Sequence, residues 1–146
     1  MKRIFSFFLS ALFLFLLSTP MAFAQVETRV RIVEASNVGI LVDPALTDVH
    51  SQLGSLFNFT SYRLLKDIHL SLVGNRPVDI FVHPGRSMEI TLVGEYRNLV
   101  ELRIRVKRDG LPILNTHVRL SRGRTILIGG PRHGEGTIIF AVSARF

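Results

Sequence analysis

The chain has 146 residues and a formal net charge of +7, and its apolar residues are concentrated at its start. The first 24 residues carry 17 of them, so the remaining 122 residues are about 43% apolar, which is ordinary for a soluble globular domain. We expect so short a chain to form one domain, which excludes a multidomain enzyme. Because the sequence contains no cysteine, disulfides and thiolate metal sites are also excluded.

The N-terminal segment has the three parts of a secretory signal peptide. Two cations precede an apolar run over residues 4–17, and Ala22-Phe23-Ala24 is a small-x-small cleavage site. The run is short for a bilayer span, which needs about 20 residues. We therefore predict a cleaved signal peptide over 1–24, a single β-rich domain over 25–146, and a periplasmic or secreted location. The alternative is an uncleaved membrane anchor.

The mature chain opens with a predicted strand and a predicted helix. Apolar and polar residues alternate from Val26 to Ile32, which is the period of a half-buried strand. Asp43 and Pro44 then suit the N-cap and the first helical position. The apolar residues that follow come at steps of three and four: Leu46, Val49, Leu53 and Leu56 or Phe57. This spacing predicts a helix of about three turns that packs on a sheet.

From Ser61 onward the sequence contains only short β-rich runs separated by turn residues. The predicted strands are 62–73, 78–82, 88–93, 99–106, 113–120, 125–128 and 137–142. Connections this short favour antiparallel pairing, because parallel pairs need long crossovers. We predict a mainly β fold with one helix (α+β). It is an antiparallel β-sandwich or a partly open barrel, with a short helix near the N-terminus.

The sequence also predicts the register of one hairpin. Alternation places the even-numbered residues of 100–106 and of 114–120 on one face. A two-residue loop would mix apolar and polar residues on each face, because a register shift of one residue moves every side chain of the strand to the opposite face of the sheet. A three-residue loop over 108–110, with glycine in the left-handed position, pairs Ile104 with Leu114. We predict this loop, which also places Glu101 opposite His117 and Arg103 opposite Asn115 on the other face.

Positive charge is concentrated in the C-terminal strands. Residues 25–94 have a formal net charge of −1, and residues 95–146 of +6. The candidate residues for binding an anion or a partner are Arg103, Arg105, Lys107, Arg119, Arg122, Arg124, Arg132 and His133. Such a patch attracts phosphate, anionic lipid headgroups, acidic glycans or an acidic protein. Nucleic acid is not expected, because few aromatic residues accompany the charge. The structural alternative is a solvated strand face that keeps the sheet soluble.

The stretch 129–136 holds four glycines in eight residues, which predicts a mobile hairpin loop. Arg132 and His133 would supply hydrogen-bond donors at its tip, where a partner can reach them. The stretch lacks the Gly-Lys-Ser/Thr ending of a phosphate loop. A permissive surface turn is the alternative.

The sequence has no pattern typical of catalysis or metal binding. No two of the five histidines, at positions 50, 69, 83, 117 and 133, have the spacing of metal ligands on a helix. Asp43 suits a helix cap, Asp48 suits a charge in the first helical turn, and no Gly-x-Ser-x-Gly elbow occurs. We therefore expect no enzymatic activity, cofactor or metal. A hydrolase of unknown substrate is an alternative.

The last predicted strand suggests a second alternative. Residues from Ile138 alternate and end on Phe146, which resembles the closing strand of outer-membrane β-barrels. A small outer-membrane β-barrel protein is therefore kept as an alternative. Against it, Ile139 and Ala141 make the strand apolar on both faces, as expected for a buried central strand.

Two resemblances accompany these patterns. The stretch Leu120–Gly130 looks like a hairpin motif of secretins, the outer-membrane channels of secretion and pilus systems, although Arg122 and Arg124 replace the Asp and Gln of that motif. Four further stretches are similar to uncharacterised small exported bacterial proteins. They are Glu34–Asn37, Val42–Pro44, Thr60–Leu65 and Gly129–Gly134. The second resemblance implies export and one compact domain, and it implies no activity.

The charge distribution leads to a functional hypothesis. We expect an exported, non-enzymatic, β-rich domain of the bacterial cell envelope. It would bind or assemble with an envelope protein, an anionic glycan or a lipid headgroup through its basic C-terminal strands and the stretch 129–136.

Overall fold

The computed structural model describes residues 25–146, which form eight strands and a short helical segment over residues 44–56. The strands are β1 (Gln25–Ser36), β2 (Ser61–Val73), β3 (Val78–His83), β4 (Arg86–Glu95), β5 (Leu99–Arg108), β6 (Leu111–Ser121), β7 (Thr125–His133) and β8 (Gly136–Arg145). All pairing between them is antiparallel, in two sheets of four. Sheet I has the order β2-β1-β8-β7, and sheet II has the order β3-β4-β5-β6.

The predicted mainly β fold with antiparallel sheets and one helix is confirmed. Every predicted strand is present, and each is longer than predicted by at least one residue. The predicted signal peptide, residues 1–24, lies outside the described residues. Within the described part of the chain, no helix has the length and apolar character needed to cross a bilayer.

The main core lies between the two sheets in a sandwich-like arrangement. In β5 every second residue from Val100 to Val106 is buried, and these side chains meet inward-facing residues of β1 and β8 such as Ile32 and Phe140. Burial of each such side chain stabilises the fold by about 1.5–3 kcal/mol. The alternation in β5 therefore directs its charged residues to the outside of sheet II.

A second, smaller core lies on the outer face of sheet I. Val33 and Ile139 point away from the main core and are covered by Leu46, Val49 and Leu53 of the helical segment. This explains why β8 is apolar on both faces, since its inner face packs in the main core and Ile139 packs under the helical segment.

The helical segment is less regular than the predicted three-turn helix. Asp43 caps a turn, because its side chain accepts a hydrogen bond from the Ala45 N–H at 3.0 Å, but this turn is a single 3-10 turn over Pro44–Leu46. The α-helix α1 covers only His50–Leu56. Asp48 lies between them and forms an ion pair with Arg31 of β1, so its predicted role as a first-turn charge is wrong.

The β5–β6 connection also differs from the predicted three-residue loop. Arg108 pairs with Leu111 around a two-residue turn. The two turn residues, Asp109 and Gly110, have φ of 48° and 82°, and two positive φ values in succession are typical of a type I′ hairpin turn.

A β-bulge in β6 explains why the register prediction is wrong. The pairing shifts by one residue beside Pro112, which leaves Ile113 as an extra residue of β6. Ile104 therefore faces Thr116 rather than Leu114. The bulge returns the apolar residues of both strands to one face. Proline suits this position, because it has no N–H to donate to the ladder.

Candidate anion-binding surface

The outer face of sheet II carries a row of cations, which we call the basic face. It consists of Arg103, Arg105 and Lys107 of β5 and Arg119 of β6. Outward-facing positions of one strand are about 7 Å apart, since the rise per residue is about 3.4 Å. The geometry therefore places three positive side chains in line on β5, with Arg119 on the neighbouring edge strand.

The register determines which polar residues flank these cations. Arg103 lies between Thr91 of β4 and His117 of β6, whereas Asn115 was its predicted neighbour. Glu101 lies opposite Arg119 rather than His117. Residues directly opposite each other in adjacent strands interact, so these pairings set the local electrostatics.

Glu89 of β4 neutralises one end of the basic face. Its carboxylate accepts a hydrogen bond from Lys107 Nζ at 2.8 Å and lies 3.9 Å from Arg105 Nη1. The hydrogen bond from Lys107 is the main cause that holds the pKa of Glu89 below its ordinary value, and the same bond raises the pKa of Lys107. Lys107 is therefore already paired with Glu89 within the protein.

Glu101 neutralises the opposite end more weakly. One oxygen of Glu101 lies 3.4 Å from His117 Nδ1, and the other lies 4.0 Å from Arg119 Nε. The Arg119 side chain is 73% exposed, so solvent screens this interaction.

Arg103 is the cation of this row that has no acidic partner among residues 25–146. Its Nε is buried and has no hydrogen-bond partner in the protein, and the same holds for Arg105 Nε and for the hydroxyl of Thr91. Thr91 is only 2% exposed. These three atoms are enclosed by the protein, so the atoms of Arg103 that an anion can reach are its two terminal nitrogens, which form no hydrogen bond or ion pair within residues 25–146.

The remaining predicted residues do not join the basic face. Arg122 and Arg124 lie in the β6–β7 turn, and Arg132 and His133 lie at the far end of β7. The two ends of β7 are about 26 Å apart, from a rise of about 3.3 Å per residue. The eight candidate residues therefore occupy three separate places: the basic face, the β6–β7 turn and the far end of β7.

His133 is held by two neighbours at this far end. Its Nε2 lies 3.3 Å from a carboxylate oxygen of Glu34, and its ring centroid lies 4.7 Å from that of His83. His83 ends β3 of sheet II and His133 ends β7 of sheet I, so this contact joins the two sheets.

The predicted loop over 129–136 is also wrong, because β7 and β8 occupy most of it. Arg132 pairs with Thr137, and only two residues turn the chain. A Cβ at Gly130 would lie 2.7 Å from the Phe140 ring, and one at Gly136 would overlap the backbone oxygen of Ala35. These glycines allow close packing rather than mobility.

Sequence reasoning found the cations of the basic face but missed Glu89 and Thr91. Both lie on β4, and the β4–β5 pairing shifts by one residue between Leu92 and Gly94. The short connection between these strands indicates that they pair, but alternation does not reveal the shift. The glycine at position 94 is the signal that could have indicated the shift, because glycine within a strand is typical of a bulge.

Neither a family model, a curated protein nor a solved structure matches this chain. Leu120–Gly130 joins strands of different sheets, so this stretch does not form the hairpin that its secretin-like pattern implies. In residues 25–146, no three histidine or carboxylate side chains converge in a way that could hold a metal ion.

Proposed function

We propose that this chain is an exported, non-enzymatic β-sandwich domain of the bacterial cell envelope that binds anionic groups on its basic face. The observation that carries the proposal is Arg103, which has no acidic partner among residues 25–146 and lies in a row with Arg105 and Lys107. The signal-like residues 1–24 support export. The basic face would hold phosphate or carboxylate groups of an envelope glycan, headgroup or protein.

The geometry of the basic face supports binding to an extended anionic surface. Its cations form a row rather than a pocket, and Glu89 and Glu101 fix the ends of that row. Arginine donates two parallel hydrogen bonds to a phosphate or carboxylate, so Arg103 offers geometric selectivity as well as charge. Binding through such charges weakens with salt, because the Debye length falls from about 10 Å at 0.1 M to about 3 Å at 1 M.

A vesicle-binding experiment tests this proposal. Sedimentation with phosphatidylglycerol-containing vesicles should show binding that falls as NaCl rises from 0.05 to about 0.5 M, and binding to phosphatidylcholine vesicles should be much weaker. Charge reversal at Arg103, Arg105 and Arg119 should abolish binding to the anionic vesicles. Arg76→Glu, at an exposed residue between β2 and β3, is the control for the single variant Arg103→Glu.

Two results would contradict the basic face as the binding surface. One is binding that does not depend on salt. The other is a loss of binding in the Arg76→Glu control as large as in the single variant Arg103→Glu, because both change the net charge equally.

A further inference from the structure

A groove on the outer face of sheet I is separate from the basic face. It has a volume of about 470 Å³ and lies between the helical segment and the β6–β7 turn. Its polar lining includes Arg29, Arg31, Thr125, Ser143, Arg145 and Arg122. The volume falls in the range of sites for small molecules, about 300–1,000 Å³.

Two of the lining arginines are already neutralised. Arg29 donates two hydrogen bonds to Asp67, at 2.8 and 2.6 Å, and Arg31 donates two to Asp48, at 2.7 and 2.9 Å. These bonds are the main cause of the lowered pKa of both carboxyl groups. Arg31 is also only 1% exposed, and its Nε has no hydrogen-bond partner in the protein. Both guanidinium groups are therefore fixed in place.

The other two lining arginines are exposed and form no ion pair within residues 25–146. Arg122 lies over the Phe146 ring, with 5.1 Å between the guanidinium carbon and the ring centroid. Arg145 lies opposite Glu27 in the β1–β8 ladder, and that carboxylate accepts a hydrogen bond from Ser71 at 2.6 Å. With Asp67, which pairs with Arg29 from outside the lining, the four arginines are set against three carboxylates, the other two being those of Glu27 and Asp48.

Two hydroxyl groups lie between these cations. Thr125 of β7 pairs directly with Ser143 of β8, and neither hydroxyl is bonded to another of the described residues. A hydroxyl rotates to donate to whichever acceptor is near. An anion placed over this pair would therefore meet two neutral donors as well as the charges of Arg122 and Arg145.

We propose that the groove is a binding site for a small anion that carries a phosphate or carboxylate group. Arg122 and Arg145 would supply the charge, and Thr125 and Ser143 would donate hydrogen bonds to the oxygen atoms of the anion. This site does not depend on the basic face, because it lies on the outside of the other sheet. A small anion fits better than an aromatic compound, because the groove has no phenylalanine, tyrosine or tryptophan in its lining.

NMR titration of the ¹⁵N-labelled protein tests the site. The probes are inorganic phosphate and malonate, each added at constant ionic strength with NaCl as the balancing salt. We expect saturable shifts of the Gly123, Thr125 and Ser143 amides. Tighter binding of phosphate would identify a phosphate site, tighter binding of malonate a carboxylate site, and equal binding a site for either group.

The variants Arg122→Gln and Arg145→Gln should each weaken binding by about tenfold, the effect of losing one charge-assisted hydrogen bond. Arg108→Gln is the control, since Arg108 is exposed and lies at the opposite end of β5 and β6. Arg122 lies in an exposed turn, so its variant should keep the dispersed spectrum of the folded protein.

Shifts that do not saturate, or that are as large in β5 as in the groove, would overturn the proposal. So would binding that Arg122→Gln and Arg145→Gln leave unchanged. Arg103→Gln separates the two proposals, because it should weaken vesicle binding and leave the phosphate and malonate titrations intact.

Discussion

At the scale of single residues, Arg31 illustrates how a charge is accommodated inside this fold. It is the largest fully buried side chain among residues 25–146, so protein groups must replace the water that it loses on burial. Asp48 provides the compensating charge, and Ala45 provides a carbonyl oxygen at 3.5 Å. The pair thereby connects β1 to the helical segment at a point between its 3-10 turn and α1.

Asp48→Asn should lower the free energy of unfolding by about 2 kcal/mol. Breaking a buried ion pair costs about 3–5 kcal/mol, but Asp48 is 58% exposed, so solvent screens part of the attraction. Urea unfolding of Asp48→Asn, Arg31→Met and the double variant gives the coupling energy. If the two single effects simply add, the pair contributes no interaction of its own.

The paired carboxylates also predict how stability depends on pH. Hydrogen bonds from Arg31, Arg29 and Lys107 lower the pKa of Asp48, Asp67 and Glu89 below their ordinary values of 3.8 and 4.5. The folded state thus favours the ionised forms. Their contribution is present above the ordinary pKa and is lost as pH falls through the lower folded pKa, so stability should decrease below about pH 4.

Urea midpoints measured from pH 6 to pH 3 test this direction. Asp67→Asn should show a smaller fall over that range than the unsubstituted protein, because one of the responsible groups is gone. Asp109→Asn removes a carboxylate that has no ion pair among residues 25–146 and should leave the fall unchanged. Equal falls in all three proteins would contradict the assignment.

At the scale of elements, Gly110 and Gly74 test how backbone conformation in a turn affects stability, because they differ in φ and not in the space around them. A Cβ would meet nothing within 4 Å at either Gly110 or Gly74, but only Gly110 has a positive φ, of 82°. Gly110→Ala should therefore lower the free energy of unfolding by about 1–2 kcal/mol, the cost of left-handed backbone. Gly74→Ala should be neutral or slightly stabilising. Thermal unfolding of both variants measures the difference.

The same hairpin shows how much of the fold could be predicted from the sequence. Alternation in β5 and β6 identifies both strands and the faces of Ile104 and Leu114, because burial on one side imposes a period of two. It does not reveal the register, because a two-residue turn and a bulge at Ile113 together place the same faces inward as a three-residue loop would. Faces are local properties, whereas register depends on turn geometry and on the partner strand.

The candidate site was predictable to a similar extent. The charge of Arg103 is visible in the sequence, but its lack of an acidic partner depends on the β4–β5 register. The separation of Arg122 from Arg119, only three positions apart, depends on the chain crossing from sheet II to sheet I between β6 and β7. Periodicity within a strand contains no information about the sheet to which that strand belongs.

At the scale of the whole molecule, the two cores differ in size and share strands of sheet I. β1, β2 and β8 contribute buried residues to both cores, whereas the helical segment contributes only to the smaller one. A segment that is held by few apolar contacts can open without global unfolding. We therefore expect the helical segment to have lower local stability than the sheets that it covers.

Native-state hydrogen exchange of two matched variants tests this difference. Leu53 is fully buried in the smaller core and Leu102 in the main core, so each change to alanine should cost about 2–5 kcal/mol locally. Leu53→Ala should accelerate exchange of the α1 amides and leave those of β5 nearly unchanged. Leu102→Ala should accelerate exchange in both sheets, because the main core joins them. If Leu53→Ala accelerated exchange in β5 as much as in α1, the two cores would open as one unit, and the basic face could not remain intact while the helical segment detaches.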